Sequence, residues 1–172
     1  MRHNIFDGKK TRFIAAEPQS CPKLTRGKFC YDYGDETGYT PLMPMFSLGH
    51  QFKPANIHAG GLRYHGAGVI VSQLLKDGLM EAVDISQLRS FEAGLMFAKA
   101  EGIVPAPESC HAIAAAIDEA LRCKESGEEK VILFCLSGHG LMDMSAYDQY
   151  ISGSLGNYTI SDEEIEKNVA SL

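Results

Sequence analysis

A continuous apolar run at residues 130–136 constrains the fold more than any other feature of this chain. It reads KVILFCL, so six apolar side chains follow one another without a polar break. A strand with one face in water alternates apolar and polar residues, whereas a strand buried on both faces of a parallel sheet does not. The run therefore predicts a central strand of a parallel sheet.

The other apolar segments alternate between strand and helix. Short runs at residues 12–16 and 81–85 follow turn residues and predict two more strands. Helical periodicity extends from Gly66 to a stop at Gly78, from an N-cap at Ser86 to Gly102, and from Ser109 to Gly127. The first of these helices is expected to turn one apolar stripe towards the core, namely Val69, Ile70, Leu74 and Leu75. This alternation is typical of a doubly wound α/β fold with a mostly parallel sheet, in which ligands bind beyond the carboxyl ends of the strands.

Two stretches fall outside this pattern. Residues 17–62 contain five prolines and show no helical or alternating period, so we expect a long functional loop there. Residues 153–172 are expected to form a tail with a short helix, opened by a capping box between Ser161 and Glu164. The predicted organisation is one partial α/β domain over residues 1–152, followed by this tail.

Composition excludes several classes of partner. The net charge is -6, which supplies no basic surface for nucleic acid or an anionic membrane. No apolar stretch approaches the ~18 residues of a membrane span, so we expect a cytoplasmic protein. The five cysteines include no C-x-x-C pair and are expected to be free thiols.

The histidines of the long loop region allow two interpretations. His50, His58 and His65 have irregular spacings and do not share a helical face with a carboxylate. Metal ligands must converge on one point, which these spacings do not promise. Hydrogen-bonded loop histidines are therefore favoured over a metal site.

The segment after the apolar run is the clearest candidate site. It reads LSGHG at residues 136–140, and its glycines allow the backbone to turn sharply where a strand would end. Ser137 is then well placed to meet a ligand. The G-x-S-x-G frame of a nucleophile elbow is absent. From these residues alone, a plain strand-to-loop turn remains the more common explanation.

Two further loops carry polar residues of interest. Pro105 and Pro107 stiffen a loop that leaves Glu108 at the start of a helix, where it serves either a ligand or the helix dipole. Residues 57–66 place glycines beside Arg63, which fits either an anion cradle or a tight loop. The tight loop is slightly favoured.

Taken together and in order, these segments resemble the tryptophan synthase beta family, in particular its second, more divergent branch. The resemblance covers most of the chain and is carried by six blocks of sequence, at residues 13–18, 21–27, 31–35, 57–66, 101–111 and 136–140. It implies the carboxy-terminal domain of a fold-type II enzyme that uses pyridoxal 5'-phosphate (PLP) to condense indole with L-serine.

The resemblance also implies roles for individual residues. Ser137, with Gly138 beside it, would contact the cofactor's pyridine nitrogen, and a neutral serine there keeps the ring largely unprotonated. Elimination and replacement are then favoured over transamination. Glu108 would lie beside the phenolic oxygen of the cofactor, and the carbonyl of Gly78 near the same edge. Backbone carbonyls around Ala82 and Asp84 resemble part of a monovalent-cation site.

One departure from the family changes what this chain is expected to do alone. The lysine that binds the cofactor covalently and the glycine-rich phosphate loop precede the matching region, and none of the ten lysines here lies in an equivalent motif. No catalytic residue is therefore assigned, and the isolated chain is expected to be inactive. The alternative is a non-catalytic α/β module for interaction or small-molecule binding. In either case an exposed sheet edge predicts a homodimer.

Overall fold

The computed structural model describes residues 1–170, which form a mixed α/β structure. Its elements, in chain order, are α1 (Arg2–Asp7), β1 (Ile14–Pro18), β2 (Lys28–Asp32), β3 (Met43–Ser47), a 3₁₀ turn (Gly60–Leu62), α2 (Val69–Lys76), β4 (Glu81–Ile85), α3 (Gln87–Glu101), α4 (Pro107–Ser126), α5 (Met144–Ile151) and α6 (Asp162–Val169). Within the described residues, no helix has both the length and the apolar character needed to cross a bilayer.

The parallel pair of β1 and β4 confirms the predicted α/β character. Ile14 lies opposite Glu81, and Pro18 lies opposite Ile85. The N–H of Glu81 donates to Phe13, and the carbonyl of Ile85 accepts from Gln19. Because alternate residues of a parallel strand bond to the same neighbour, Ala82 and Asp84 direct their backbone groups towards the other edge of β4.

Helices α3 and α4 pack against this pair and form the core beside it. Ile85 of β4 contacts Ala93 of α3 and Ile113 and Ala114 of α4 in one buried cluster. The predicted start of α3 is confirmed, because the side chain of Ser86 accepts the N–H of Arg89. Both helices end at glycines in the left-handed conformation, as their stop signals predict.

The predicted strand at residues 130–136 is wrong for the chain as described. The segment is extended, yet no described strand pairs with it, and Val131 and Leu133 are 100% and 93% exposed. Only its partly buried Phe134 packs into the core, edge-on to Phe97 at 5.6 Å between ring centroids. An apolar run becomes a buried strand only where neighbouring strands supply hydrogen bonds and a covering layer, and the described residues supply neither here.

The prediction of one irregular loop over residues 17–62 is also wrong. β2 and β3 form an antiparallel hairpin within it, with Lys28 opposite Ser47 and Asp32 opposite Met43. The alternation escapes notice because the strands are short and because Pro44 lies inside β3, opposite Tyr31. Proline is tolerated at such an edge position, where its missing N–H breaks no essential bond.

Helix α2 forms where it is predicted, but its apolar stripe does not face the core as expected. Ile70 is 76% exposed and Val69 is 38% exposed, whereas Ser72 is fully buried. The hydroxyl of Ser72 accepts the N–H of Phe46 in β3 and donates to the carbonyl of Ala67. A side-chain hydrogen bond to the hairpin therefore sets the orientation of this helix.

The carboxy-terminal segment packs closely on the rest of the molecule. Ile160 and Ile165 join Cys21, Leu48 and Phe52 in a buried cluster. The start of α6 is confirmed, because the side chain of Ser161 accepts the N–H of Glu164. The division of the chain at residue 152 stays a prediction.

Candidate functional site

Ser137 and Ser109 form the centre of the candidate site. The two hydroxyl oxygens lie 3.0 Å apart. The hydroxyl of Ser109 also accepts the N–H groups of Ser137 at 3.1 Å and of Gly138 at 3.2 Å. Ser109 is buried in the first turn of α4, while Ser137 is exposed. The sequence predicted Ser137 and Gly138 as cofactor contacts and placed Ser109 only at the start of a helix, without its contact to Ser137.

A short β-bridge fixes the segment that carries Ser137. His139 pairs with Pro105 in an antiparallel bridge, the N–H of Ala106 donates to the carbonyl of Gly138, and the N–H of Gly140 donates to the carbonyl of Val104. A Cβ atom on Gly140 would lie 2.4 Å from the carbonyl oxygen of Pro105, so only glycine fits there. The stiff proline loop thereby positions the LSGHG segment.

Glu108 joins the candidate site to the loop at residues 57–66. It follows Pro107, which occupies the first position of α4, and its carboxylate accepts the N–H of Gly61 at 2.8 Å. The next residue of that loop, Leu62, accepts a hydrogen bond from the ammonium group of Lys23 at 3.2 Å. The loop is therefore tied on both sides by side chains from distant parts of the chain.

The charged residues Glu17 and Lys23 are buried beside this loop, which the sequence patterns did not predict. The carboxylate of Glu17 accepts the N–H groups of Leu24 and Thr25. Burial nevertheless raises the pKa of Glu17, with these bonds opposing the shift. Burial lowers the pKa of Lys23, opposed by the charge of Glu17. The sequence offers little to predict the burial of Glu17 and Lys23, because charged residues are rarely buried.

Two nitrogens near the same loop are buried without a hydrogen-bond partner among the described residues. They are Nε of Arg63 and Nε2 of His111. The other ring nitrogen of His111 donates to the carbonyl of Pro107 at 2.8 Å, so in the neutral ring Nε2 carries the lone pair. Burial lowers the pKa of His111 accordingly.

The remaining predicted site residues lie elsewhere. Gly78 ends α2 in the left-handed conformation, with φ of 69°, and lines a surface depression together with Lys9 and Lys10. Ala82 and Asp84 line a separate depression of about 330 Å³ between β4 and α4. The structure does not bring these residues into contact with Ser137 or Glu108, and their roles stay predictions.

The loop histidines make ordinary hydrogen bonds. His50 bonds through Nδ1 to the buried carboxylate of Asp32 at 2.7 Å, and Nε2 of His65 donates to the carbonyl of Tyr33 at 2.8 Å. No group of three metal-ligating side chains converges within residues 1–170. The five cysteines carry free thiols.

The donor set around Ser137 suits one edge of a nitrogen heterocycle. The exposed hydroxyl of Ser137 lies on a backbone segment that is fixed by hydrogen bonds to Ser109. The carboxylate of Glu108 lies in the residue before Ser109, directly after the proline loop. A hydroxyl matches a neutral ring nitrogen, whereas a carboxylate would match a protonated one. The residues present fit the nitrogen edge of a pyridine cofactor.

Comparisons with known proteins agree with this chemistry. The family model described as "Pyridoxal-phosphate dependent enzyme" matches residues 1–138. Tryptophan synthase beta chain 2 of Aquifex aeolicus is 60% identical over 144 residues, which are 84% of this chain and 33% of that protein. The Methanothermobacter thermautotrophicus protein of the same name is 55% identical over 151 residues, which are 87% and 35% of the two chains. Tryptophan synthase beta chain of Thermosipho africanus is 59% identical over 142 residues, or 83% and 34%. The chain spans about a third of the length of these relatives.

Proposed function

Since this chain belongs to the pyridoxal-phosphate dependent enzyme family, we propose that it supplies the carboxy-terminal part of a tryptophan synthase beta-like enzyme. The proposed reaction is the condensation of indole with L-serine to give L-tryptophan. The isolated chain is proposed to be inactive, because none of its lysines lies in the motif that would bind the cofactor covalently.

The observation that carries this proposal is the Ser109–Ser137 pair. Its two hydroxyls are 3.0 Å apart, and the backbone around Ser137 is fixed by the bridge to Pro105. A neutral hydroxyl presented on a rigid backbone is what recognition of an unprotonated ring nitrogen requires. The cofactor, when bound, supplies the electron sink for replacement at the β-carbon of the amino acid.

The chain's own residues then bind and orient the ring. Ser137 would donate its hydroxyl proton to the ring nitrogen, with Gly138 beside it. Glu108 would face the phenolic side, and its bond to the N–H of Gly61 keeps the 57–66 loop close to the same edge. Since Ser137 carries no charge, it leaves the ring nitrogen unprotonated, which favours replacement over transamination.

We also propose secondary contacts for the residues that lie apart from this pair. The backbone carbonyls of Ala82 and Asp84 are directed away from β1, and are therefore available to a monovalent cation or to another strand. The carbonyl of Gly78 is proposed to approach the cofactor only once the rest of the family's polypeptide is in place. A cytoplasmic location stays part of the proposal.

The proposal is tested with a chimera. The matching segment of the Aquifex aeolicus relative is replaced by this chain, and formation of tryptophan from indole and L-serine is measured with added PLP. We expect activity in the chimera, its loss in a Ser137→Ala chimera, and none in the isolated chain. A folded chimera without activity, beside an active parent, contradicts the proposal.

The second candidate function is an interaction module without catalysis. It is favoured by the exposed side chains of Val131 and Leu133, which extend into solvent from an unpaired segment. Such surface is normally covered by another polypeptide. A second copy of this chain is the proposed occupant, giving a homodimer, and light scattering over a dilution series tests it.

A further inference from the structure

Ser109 makes more polar contacts than one hydroxyl normally sustains. It is 1% exposed, and four polar atoms surround its oxygen. The N–H groups of Ser137 and Gly138 lie at 3.1 and 3.2 Å, the hydroxyl oxygen of Ser137 at 3.0 Å, and the carbonyl oxygen of Gly138 at 3.4 Å. Their number determines the direction of each bond.

A hydroxyl group has two acceptor positions and one proton. The two backbone N–H groups can only donate, so they occupy both acceptor positions of Ser109. Ser109 therefore cannot accept the proton of Ser137 as well. Its own proton is directed to the oxygen of Ser137 at 3.0 Å in preference to the longer contact with the carbonyl of Gly138.

We propose that Ser109 is a positioning residue that fixes the hydroxyl of Ser137 as an outward hydrogen-bond donor to a neutral ring nitrogen. Ser137 accepts from Ser109, and its own proton is free to point into the open space that its exposed side chain faces. The inference rests on the proposed function, because it assigns the ring nitrogen of the cofactor as the acceptor. It adds to the proposed function the residue that holds the hydroxyl of Ser137, which accepts from Ser109 and keeps its own proton free to donate to an unprotonated ring nitrogen.

The experiment uses this chain alone with 4-deoxypyridoxine labelled with ¹⁵N in the ring. This probe keeps the ring nitrogen but has no aldehyde, so no lysine reacts with it. The ¹⁵N chemical shift is followed against pH with excess protein. We expect the protonation midpoint of the ring to fall by about 0.7 unit, which corresponds to a preference of about fivefold for the unprotonated ring.

Ser109→Ala should abolish most of this shift, and Ser109→Thr, which keeps the hydroxyl, should restore it. Ser90→Ala is the matched control, because Ser90 is equally buried and donates to Gln87 within α3, away from Ser137. Ser109→Ala should also speed amide exchange at Ser137 and Gly138, which lose their acceptor. A merely structural role for Ser109 would not move the ring midpoint.

Three results would overturn the inference. The wild-type chain could leave the protonation midpoint of the probe at its free value, Ser109→Ala could lower the midpoint as much as wild type does, or Ser137→Ala could retain the full shift. The last variant alters an exposed side chain and keeps the test decisive should Ser109→Ala not fold. A chimera that makes no tryptophan would count against the proposed function. The protonation midpoint is measured on this chain alone, so the role of Ser109 and the proposed function are tested separately.

Discussion

The carboxylate of Glu108 accepts the backbone N–H of Gly61 at 2.8 Å, across 47 positions of sequence. This bond joins the proline loop before α4 to the glycine-rich loop at residues 57–66. Each of these loops had two possible explanations from sequence alone, a ligand site or a structural feature. The hydrogen bond shows that the two loops lie side by side in the folded chain.

The first prediction concerns this contact. Glu108→Ala should lower the free energy of unfolding by about 1 kcal/mol, the usual contribution of one hydrogen bond, and should speed amide exchange at Gly61. Glu108→Gln keeps an acceptor oxygen and should retain most of the protection. Denaturant unfolding and exchange measured by NMR check both variants. Equal protection of Gly61 in wild type and Glu108→Ala would show that the bond does not form in solution.

The second prediction concerns reaction with PLP. Borohydride reduction of the isolated chain with PLP should give scattered, substoichiometric labelling of exposed lysines such as Lys53, whose side chain is 82% exposed. Lys23 has a lowered pKa, yet it is 8% exposed and donates to Leu62. Peptide mapping by mass spectrometry measures the distribution. Stoichiometric labelling of a single lysine, removed by Lys23→Arg or another single substitution, would contradict the prediction.

The third prediction concerns the support beneath the candidate site. The hydroxyl of Tyr147 donates to the carbonyl of Pro105 at 2.6 Å and lies 3.2 Å from the sulfur of Cys110. Burial raises the pKa of Tyr147, and it raises that of Cys110 to about 11, so both groups stay protonated near neutral pH.

Tyr147→Phe should therefore cost about 1–3 kcal/mol of unfolding free energy, because the carbonyl of Pro105 loses its shorter hydrogen bond and keeps only the long contact with the thiol of Cys110. It should also speed amide exchange at Gly140, whose N–H bonds to the neighbouring Val104. Tyr39→Phe is the control, since Tyr39 is 91% exposed. A loss no larger than that of the control would show that the Tyr147 hydroxyl is not needed.

These examples show which parts of the molecule could be predicted from its sequence. Helix caps and stop signals depend on neighbouring residues only. The predicted N-caps Ser86 and Ser161 and the predicted terminal glycines of α3 and α4 are therefore confirmed. Ser137 and Gly138 could be named because the motif lies in one short segment. The contact of Ser109 with Ser137 could not be predicted, since it spans 28 positions and depends on the fold.

The remaining misses also have physical causes. Residues 130–136 carry the composition of a buried strand, but strand pairing requires neighbours, which composition does not contain. Helices α1 and α5 were missed because neither shows a long apolar period; α1 has no buried residue, and α5 buries only Ala146 and Tyr147. The orientation of α2 follows from the hydroxyl of Ser72, a polar group that no hydrophobic pattern reveals.

The fourth prediction concerns pH. Burial lowers the pKa of His111 in the folded chain, whereas an exposed histidine of the unfolded chain titrates near ~6.5. As the pH falls below that value, the unfolded chain takes up a proton that the folded chain does not, so stability decreases until the pH passes the lowered folded pKa. The slope from one such group is at most about 1.4 kcal/mol per pH unit.

His111→Asn keeps a donor towards Pro107 and removes the titration. We expect it to be less stable than wild type at pH 7.5 and to lose less stability between pH 7 and pH 5. His139→Asn, at an exposed position, is the control for the other histidines. Parallel stability curves for wild type and His111→Asn would exclude His111 as the source of the pH dependence.

The last prediction concerns assembly. Val131 and Leu133 are almost fully exposed on an extended segment whose backbone pairs with no described strand. Covering one leucine side chain contributes about 1.5–3 kcal/mol, and a two-fold symmetric dimer covers two of them. We therefore expect light scattering to show a dimer that dissociates on dilution. Leu133→Lys should raise the dissociation constant at least about tenfold, since about 1.4 kcal/mol suffices for that factor. Leu141→Lys, at a position 67% exposed and outside the segment, should change it little. A wild-type monomer at every concentration would show that a second copy does not cover the exposed segment.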